Sequence, residues 1–181
     1  VPNVEPSTEI AGVVVVTPDV HEDARGRFVE TYRQEWVPGS APMIQANRAD
    51  RSAGTLVGMH YHLHQADYWY VPVGRALVAL HDLRAGSPTD GTTVTLEIGD
   101  HDHRGVYIPP GVAHGFCART DLTITYLVDG YYDPADELGV AWDDPDMAIP
   151  WGIDEPVLSG RDLTNPTRAR IGDAARPRWP A

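Results

Sequence analysis

The stretch Gly54-Thr-Leu-Val-Gly-Met-His60-Tyr-His62-Leu-His64-Gln-Ala-Asp67, running on to Gly74, sets three histidines and a carboxylate close together. In an extended chain, residues two apart point to the same side. His60 and His62 are therefore expected to reach one interior point from one strand, and Asp67 to reach it from the next. A second stretch, Pro109-Pro110-Gly111-Val112-Ala113-His114, reads as a tight turn that launches a strand with His114 inward. Three imidazoles and a carboxylate suit Fe, Mn, Ni, Co, Cu or Zn. His60, His62, Asp67 and His114 are thus the expected ligands of a divalent metal ion, its identity open.

Working outward, turn signals recur at short intervals: Pro38-Gly39, Gly74, Ala85-Gly86-Ser87-Pro88, Asp90-Gly91, Pro109-Pro110-Gly111 and Asp133-Pro134. Between them lie β-branched and aromatic runs at Gly12-Val16, Arg27-Tyr32, Tyr68-Val73, Ala76-Asp82, Thr92-Ile98, Gly105-Ile108 and Leu122-Val128. Short strands at this spacing predict an all-β sandwich or barrel. Helical periodicity is weak, with single turns expected at Arg33-Trp36 and Pro145-Ile149. Residues 1–181 read as a single domain, with a core over about 10–163 and an irregular tail over about 164–181.

Charge narrows the chemistry. All 14 basic residues are arginine, against 26 acidic ones, for a formal net charge of -12. That balance argues against nucleic acid and against an anionic membrane as partners, leaving a small-molecule substrate. The absence of lysine excludes Schiff-base chemistry and a Walker-type phosphate lysine. The single Cys117 cannot close an intrachain disulfide, and the start of the chain has no signal-peptide pattern, so a cytoplasmic protein is expected. His64, His81, His101 and His103 read as hydrogen-bonded turn or surface residues. Tyr68, Trp69, Tyr70, Tyr131 and Tyr132 suggest an aromatic pocket rim.

The spacing around His60, His62, Asp67 and Gly74 resembles the first motif of the metal-binding cupins, with Asp67 where glutamate is usual. Pro109, Gly111 and His114 resemble the second. A further resemblance covers about residues 10–166. It is carried by Asp23-Ala-Arg25-Gly26-Arg-Phe28-Val-Glu30-Thr-Tyr32, Gln45-Ala-Asn47, Gly58-Met-His60-Tyr61 and Asp82-Leu83-Arg84 with Ser87-Pro88-Thr89. Ile108-Pro109-Pro110-Gly111-Val-Ala113-His114-Gly115-Phe116, Glu137-Leu-Gly139-Val-Ala-Trp142, Ile149-Pro-Trp151 and Leu158-Ser159-Gly-Arg161-Asp162 complete it. These blocks are similar to the dTDP-4-dehydrorhamnose 3,5-epimerase family, whose fold is a cupin jelly roll and whose members usually dimerise. The resemblance implies an all-β jelly-roll sandwich and a homodimer. It implies that His60, held by Asp162, is a general base, that Tyr126 returns a proton on the opposite face, and that His114 lines the pocket. It also implies that Arg25, Phe28, Glu30, Gln45 and Asn47 hold the nucleotide. His64 and Trp69 join them as candidate substrate contacts.

The departures from that family fall in the same place. Its enolate-stabilising lysine is Asp67 here, a diphosphate-gripping arginine is Val57, and a serine is Ala49. A divalent cation in place of the lysine would hold a developing enolate. A metal-bound His60 would not then serve as the base, so Tyr126, His64 or metal-bound water would move protons. The leading expectation is therefore a metal-dependent cupin enzyme on an epimerase scaffold. It would isomerise, epimerise, cyclise or dehydrate a carbonyl substrate in specialised metabolism, and oxygen chemistry at iron suits the same ligands. The alternatives are a metal-free dTDP-4-keto-6-deoxy-sugar 3- or 3,5-epimerase and a non-catalytic ligand-binding cupin.

Overall fold

A computed structural model describes residues 1–172 and 174–179. Thirteen strands appear in it: β1 (Asn3–Pro6), β2 (Val14–Thr17), β3 (Val20–Asp23), β4 (Gly26–Val29), β5 (Gln45–Arg51), β6 (Leu56–Tyr61), β7 (Asp67–Val73), β8 (Arg75–Asp82), β9 (Thr93–Gly99), β10 (Gly105–Ile108), β11 (Val112–Ala118), β12 (Leu122–Val128) and β13 (Leu138–Gly139). One sheet has the order β1-β2-β10-β7-β12-β5 and the other β13-β6-β11-β8-β9, while β3 and β4 form a separate hairpin. The two sheets pack as a jelly-roll sandwich. The expected turn at Arg33-Trp36 is a short 3₁₀ helix at Gln34–Trp36. The turn expected at Pro145-Ile149 is present over residues 145–147.

Strand alternation distributes the side chains over three packed layers. Ala76, Val78 and Leu80 of β8 enter the space between the sheets, with Val71, Ile98, Val106, Ile108, Phe116 and Ile124. Their neighbours Leu77 and Ala79 point to the back of the five-stranded sheet. There Val140, Met147 and Trp151 from the long segment after β13 cover them. Tyr68, Tyr70 and Tyr107 point to the back of the other sheet, under Trp36 and Val37. The central strands are thus buried on both faces, so His81 is a core residue and not a turn or surface one. Its Nδ1 lies 2.8 Å from Thr93 Oγ1, and burial pushes the ring down to about 4.

The Asp82-Leu83-Arg84 segment closes the sheet end. Asp82 is fully buried and accepts hydrogen bonds from Arg84 Nε at 2.7 Å, Ser87 Oγ at 2.6 Å and Thr89 Oγ1 at 2.7 Å. Burial works to raise its carboxyl, but these donors outweigh it and hold the group at about 2. Because this lies below the ordinary 3.8, the stabilisation is fully present above that pH and is lost as pH falls toward 2. Asp82→Ala leaves Arg84 buried without its partner and is expected to cost about 3–5 kcal/mol in urea unfolding at neutral pH. The deficit relative to wild type should shrink as the titration is repeated at progressively lower pH.

Candidate functional site

Two glycines set the phase of the strand that carries His60. Gly58 has φ +118°, and a Cβ there would lie 2.7 Å from Gly115 Cα and 2.8 Å from His114 O. The pairing of β6 with β11 is irregular at this point, with His60 opposite His114 and Val57 opposite Phe116. The irregularity acts as a bulge that re-aims side chains. Val57, His60 and His62 line the cavity between the sheets, while Met59 and Tyr61 pack behind. The facing wall comes from β7, β12 and β5, where Trp69 pairs with Tyr126 and Tyr126 with Asn47.

The cavity measures about 230 Å³ and is lined by Ala49, Arg51, Val57, His60, His62, Gln65, Asp67, Trp69, His114, Phe116, Ile124, Tyr126 and Glu137. His60 Nε2 lies 2.6 Å from Asp162 Oδ1. A carboxylate only accepts, so Nε2 carries the proton and donates it, leaving Nδ1 as the basic nitrogen. Asp162 is 3% exposed, on a 3₁₀ turn at Asp162–Thr164 that docks behind β6. Burial would raise its carboxyl, but hydrogen bonding to His60, Ser159 and the Gly58 N–H lowers it below the ordinary value. It therefore stays ionised and orients the ring. Burial raises the Tyr126 phenol, Asp67 and Glu137 add to the push, and Arg51 opposes it. Tyr126 is thus a protonated phenol at neutral pH.

A second polar group lies deeper. His62 and His114 rings stand 5.4 Å apart, and one nitrogen or oxygen from each of His62, Asp67 and His114 falls within 4.8 Å of the others. His62 Nδ1 donates to Asp136 O at 2.8 Å, and His114 Nδ1 to Val112 O at 2.9 Å. Burial lowers the His114 imidazole, against an upward push from Asp67. Asp67 accepts from Gln65 Nε2 at 3.0 Å and from Trp69 Nε1 at 3.0 Å. The Trp69 ring meets His114 edge-on at 5.1 Å.

The structure brings His60, Asp162, Tyr126, His114, His62, Asp67 and Trp69 together. Gln45 and Asn47 sit on the same side of β5 as Ala49 and Arg51, with Gln45 Nε2 donating to Asn47 Oδ1 at 2.9 Å, but neither lines the cavity. His64 is exposed and stands outside it. Arg25, Phe28 and Glu30 lie on or beside the β3–β4 hairpin, away from the cavity of their own chain. Arg25 pairs with Asp23, Glu30 with Arg33, and Phe28 is 67% exposed. Sequence reasoning missed Asp136. Its carboxylate accepts the backbone N–H groups of Leu63 at 2.6 Å, His64 at 3.1 Å and Gln65 at 3.3 Å, and its carbonyl holds His62. The Asp133-Pro134 turn signal was the only hint of this clamp.

Residues 7–169 match the family described as dTDP-4-dehydrorhamnose 3,5-epimerase. The chain belongs to that family. A Streptomyces niveus dTDP-4-dehydrorhamnose 3-epimerase is 38% identical over 173 residues, covering 91% of this chain and 84% of that one. A crystal structure of a 4-keto-6-deoxy sugar epimerase from the novobiocin biosynthetic gene cluster of Streptomyces spheroides superposes with TM-score 0.93 and 35% identity, covering 99% of this chain and 94% of that one. A Legionella pneumophila 3,5-epimerase, solved with dTDP-4-keto-L-rhamnose, has TM-score 0.93 and 28% identity and covers all of both chains (100% each). The chain spans 53% of the length of a Neisseria gonorrhoeae dTDP-4-dehydrorhamnose 3,5-epimerase, 33% identical over 175 residues. The protein is an enzyme of the epimerase type. No helix among the described residues is long and apolar enough to cross a membrane.

These findings correct the expected metal-dependent enzyme and its divalent metal cofactor. The family's epimerases act without a metal, so neither the cofactor nor the metal-dependent reaction is supported. The geometry supplies a physical reason at one expected ligand. The ligand atoms that converge are those of His62, Asp67 and His114, and His60, hydrogen-bonded to Asp162, is not among them.

Asp136→Ala removes the acceptor for three successive amides. It is expected to cost about 1–3 kcal/mol and to speed hydrogen exchange at Leu63, His64 and Gln65 while β8 and β11 stay protected. Unchanged exchange in that loop would show that Asp136 does not hold it.

Proposed function

We propose that this protein is a metal-free epimerase of a dTDP-4-keto-6-deoxy sugar, acting at carbon 3 or at carbons 3 and 5. The observation that carries the reading is the His60–Asp162 pair at 2.6 Å on the wall of a cavity also lined by Tyr126. His60 Nδ1 takes the proton from the carbon beside the ketone, and the electron pair of the broken C–H bond becomes the enolate. Asp162 steadies the imidazolium that results. Tyr126 returns a proton to the opposite face, which inverts the centre. His60 then releases its proton and Tyr126 regains one, so the reaction is a redox-neutral isomerisation. Asp67 stands where the resemblance sets a lysine, with both its oxygens occupied by Gln65 and Trp69. No lysine charge holds the enolate oxygen at that position. The novobiocin-cluster relative supports a place in specialised metabolism.

The unit proposed is a homodimer. Roles for Arg25, Phe28 and Glu30 at the substrate require the hairpin of one copy to reach the pocket of the other, and the exposed Phe28 ring suits such a contact. Phe28→Asp is expected to shift the mass in sedimentation from dimer to monomer and to reduce turnover. A variant that stays dimeric with full activity would remove the hairpin from the site.

Incubation with a dTDP-4-keto-6-deoxy sugar in deuterated water is expected to put deuterium at carbon 3, and at carbon 5 if both centres react. His60→Ala should slow exchange by about 10²–10⁴-fold. Tyr126→Phe should keep exchange but lose inverted product, because it leaves the base and removes the returning proton. Absence of exchange in the wild-type protein would reject the epimerase reading.

A further inference from the structure

A sugar nucleotide brings two phosphate charges to a protein whose own net charge is -12. Among the residues that line the cavity, Asp67 and Glu137 are acidic and Arg51 is the sole arginine. Val57, on the opposing strand, supplies an apolar surface. Whatever cation meets the phosphates from this wall must therefore come from β5.

Arg51 is suited to that task by its register and by its freedom. It pairs with Leu122, as Ala49 pairs with Ile124 and Asn47 with Tyr126, so all three β5 side chains share the inward face. Four residues of strand rise, about 13 Å, separate Arg51 from Asn47 at the Tyr126 level. A diphosphate attached to a sugar at the Tyr126 level has the length to extend along the strand to Arg51. Arg48, one step out of phase, faces away and is paired with Asp50 at 3.0 Å. Arg51 has no carboxylate within salt-bridge distance among the described residues. Its one hydrogen bond runs from Nη1 to the Asp50 carbonyl at 2.8 Å. A guanidinium carries five donors in a planar fork that matches phosphate oxygens. Most of that fork is uncommitted at the cavity mouth. Its charge also reaches the Tyr126 phenol, which ties it to the reacting end of the pocket.

We propose that Arg51 is the anchor for the diphosphate of the sugar nucleotide. The assignment rests on the epimerase reading above. It makes β5 carry both ends of the substrate, the sugar against Tyr126 and the diphosphate against Arg51.

Calorimetric titration of the full chain with dTDP tests it, alongside steady-state kinetics. Arg51→Gln is expected to weaken dTDP binding by about 10- to 100-fold. It should raise KM by a similar factor with kcat little changed, because the phosphates do not react. Arg51→Lys should recover part of the affinity, and Arg48→Gln should bind as wild type does. Thermal melts of each variant show whether a loss reflects binding or folding. Wild-type binding of dTDP that Arg51→Gln leaves intact overturns the assignment and spares the epimerase reading. So does a fall in kcat with unchanged affinity. A wild-type chain that neither binds dTDP nor exchanges deuterium overturns both.

Discussion

The contact of Gly58 with Gly115 is the constraint on which the site depends. The backbones of β6 and β11 approach so closely there that neither residue has room for a Cβ. The bulge this permits decides which side of β6 each later residue faces. With regular alternation, Val57 and His60 would stand on opposite faces of the sheet. With the bulge both enter the cavity, and Met59 is left to pack behind against Val140 and Trp151. The same close approach sets the Gly58 N–H 3.4 Å from Asp162 Oδ2, so the group that orients the base is bonded to the bulge that aims it.

The jelly roll was legible because its central strands are rich in valine, isoleucine and aromatic residues with turn residues between them. The strand β5 was not. Its sequence Gln-Ala-Asn-Arg-Ala-Asp-Arg has no β-branched residue, and its inward positions are small or polar because they face a cavity. It is an edge strand, so half of its surface meets water and propensity has little to say. The His60 and His62 pairing on one side was readable from the spacing, although the reason for it lies partly in the bulge and partly in the turn that follows Tyr61. Asp136 was hidden for another reason. A carboxylate that accepts three amides from a loop some seventy residues away leaves no local pattern.

Four ligand-type residues at cupin spacing read in sequence as a metal centre. In the fold they divide into two functions. His60 is hydrogen-bonded to Asp162 and is not one of the three whose ligand atoms converge. His62, Asp67 and His114 stay together, held in place by Asp136, Gln65, Trp69 and Val112. Spacing reports which residues can converge and says nothing about which neighbour claims each one first. An aspartate a hundred residues downstream claimed His60, and that partner was visible only through the whole-chain resemblance.

Asp162 belongs to the wrap of irregular chain that covers the back of the five-stranded sheet, not to the sandwich itself. This has a consequence for assembly. All thirteen strands are complete by Gly139, yet the base lacks its orienting carboxylate until the wrap has travelled across the sheet. The hydrophobic contacts of Trp151 and Met147 therefore act as the latch that arms the pocket. After a protease cut in the exposed stretch near Glu155 the covalent tether would be gone, and Asp162 would keep its place at His60 only through contacts of its own segment, such as the Thr55–Val157 bridge and the Arg168 N–H on Asp144.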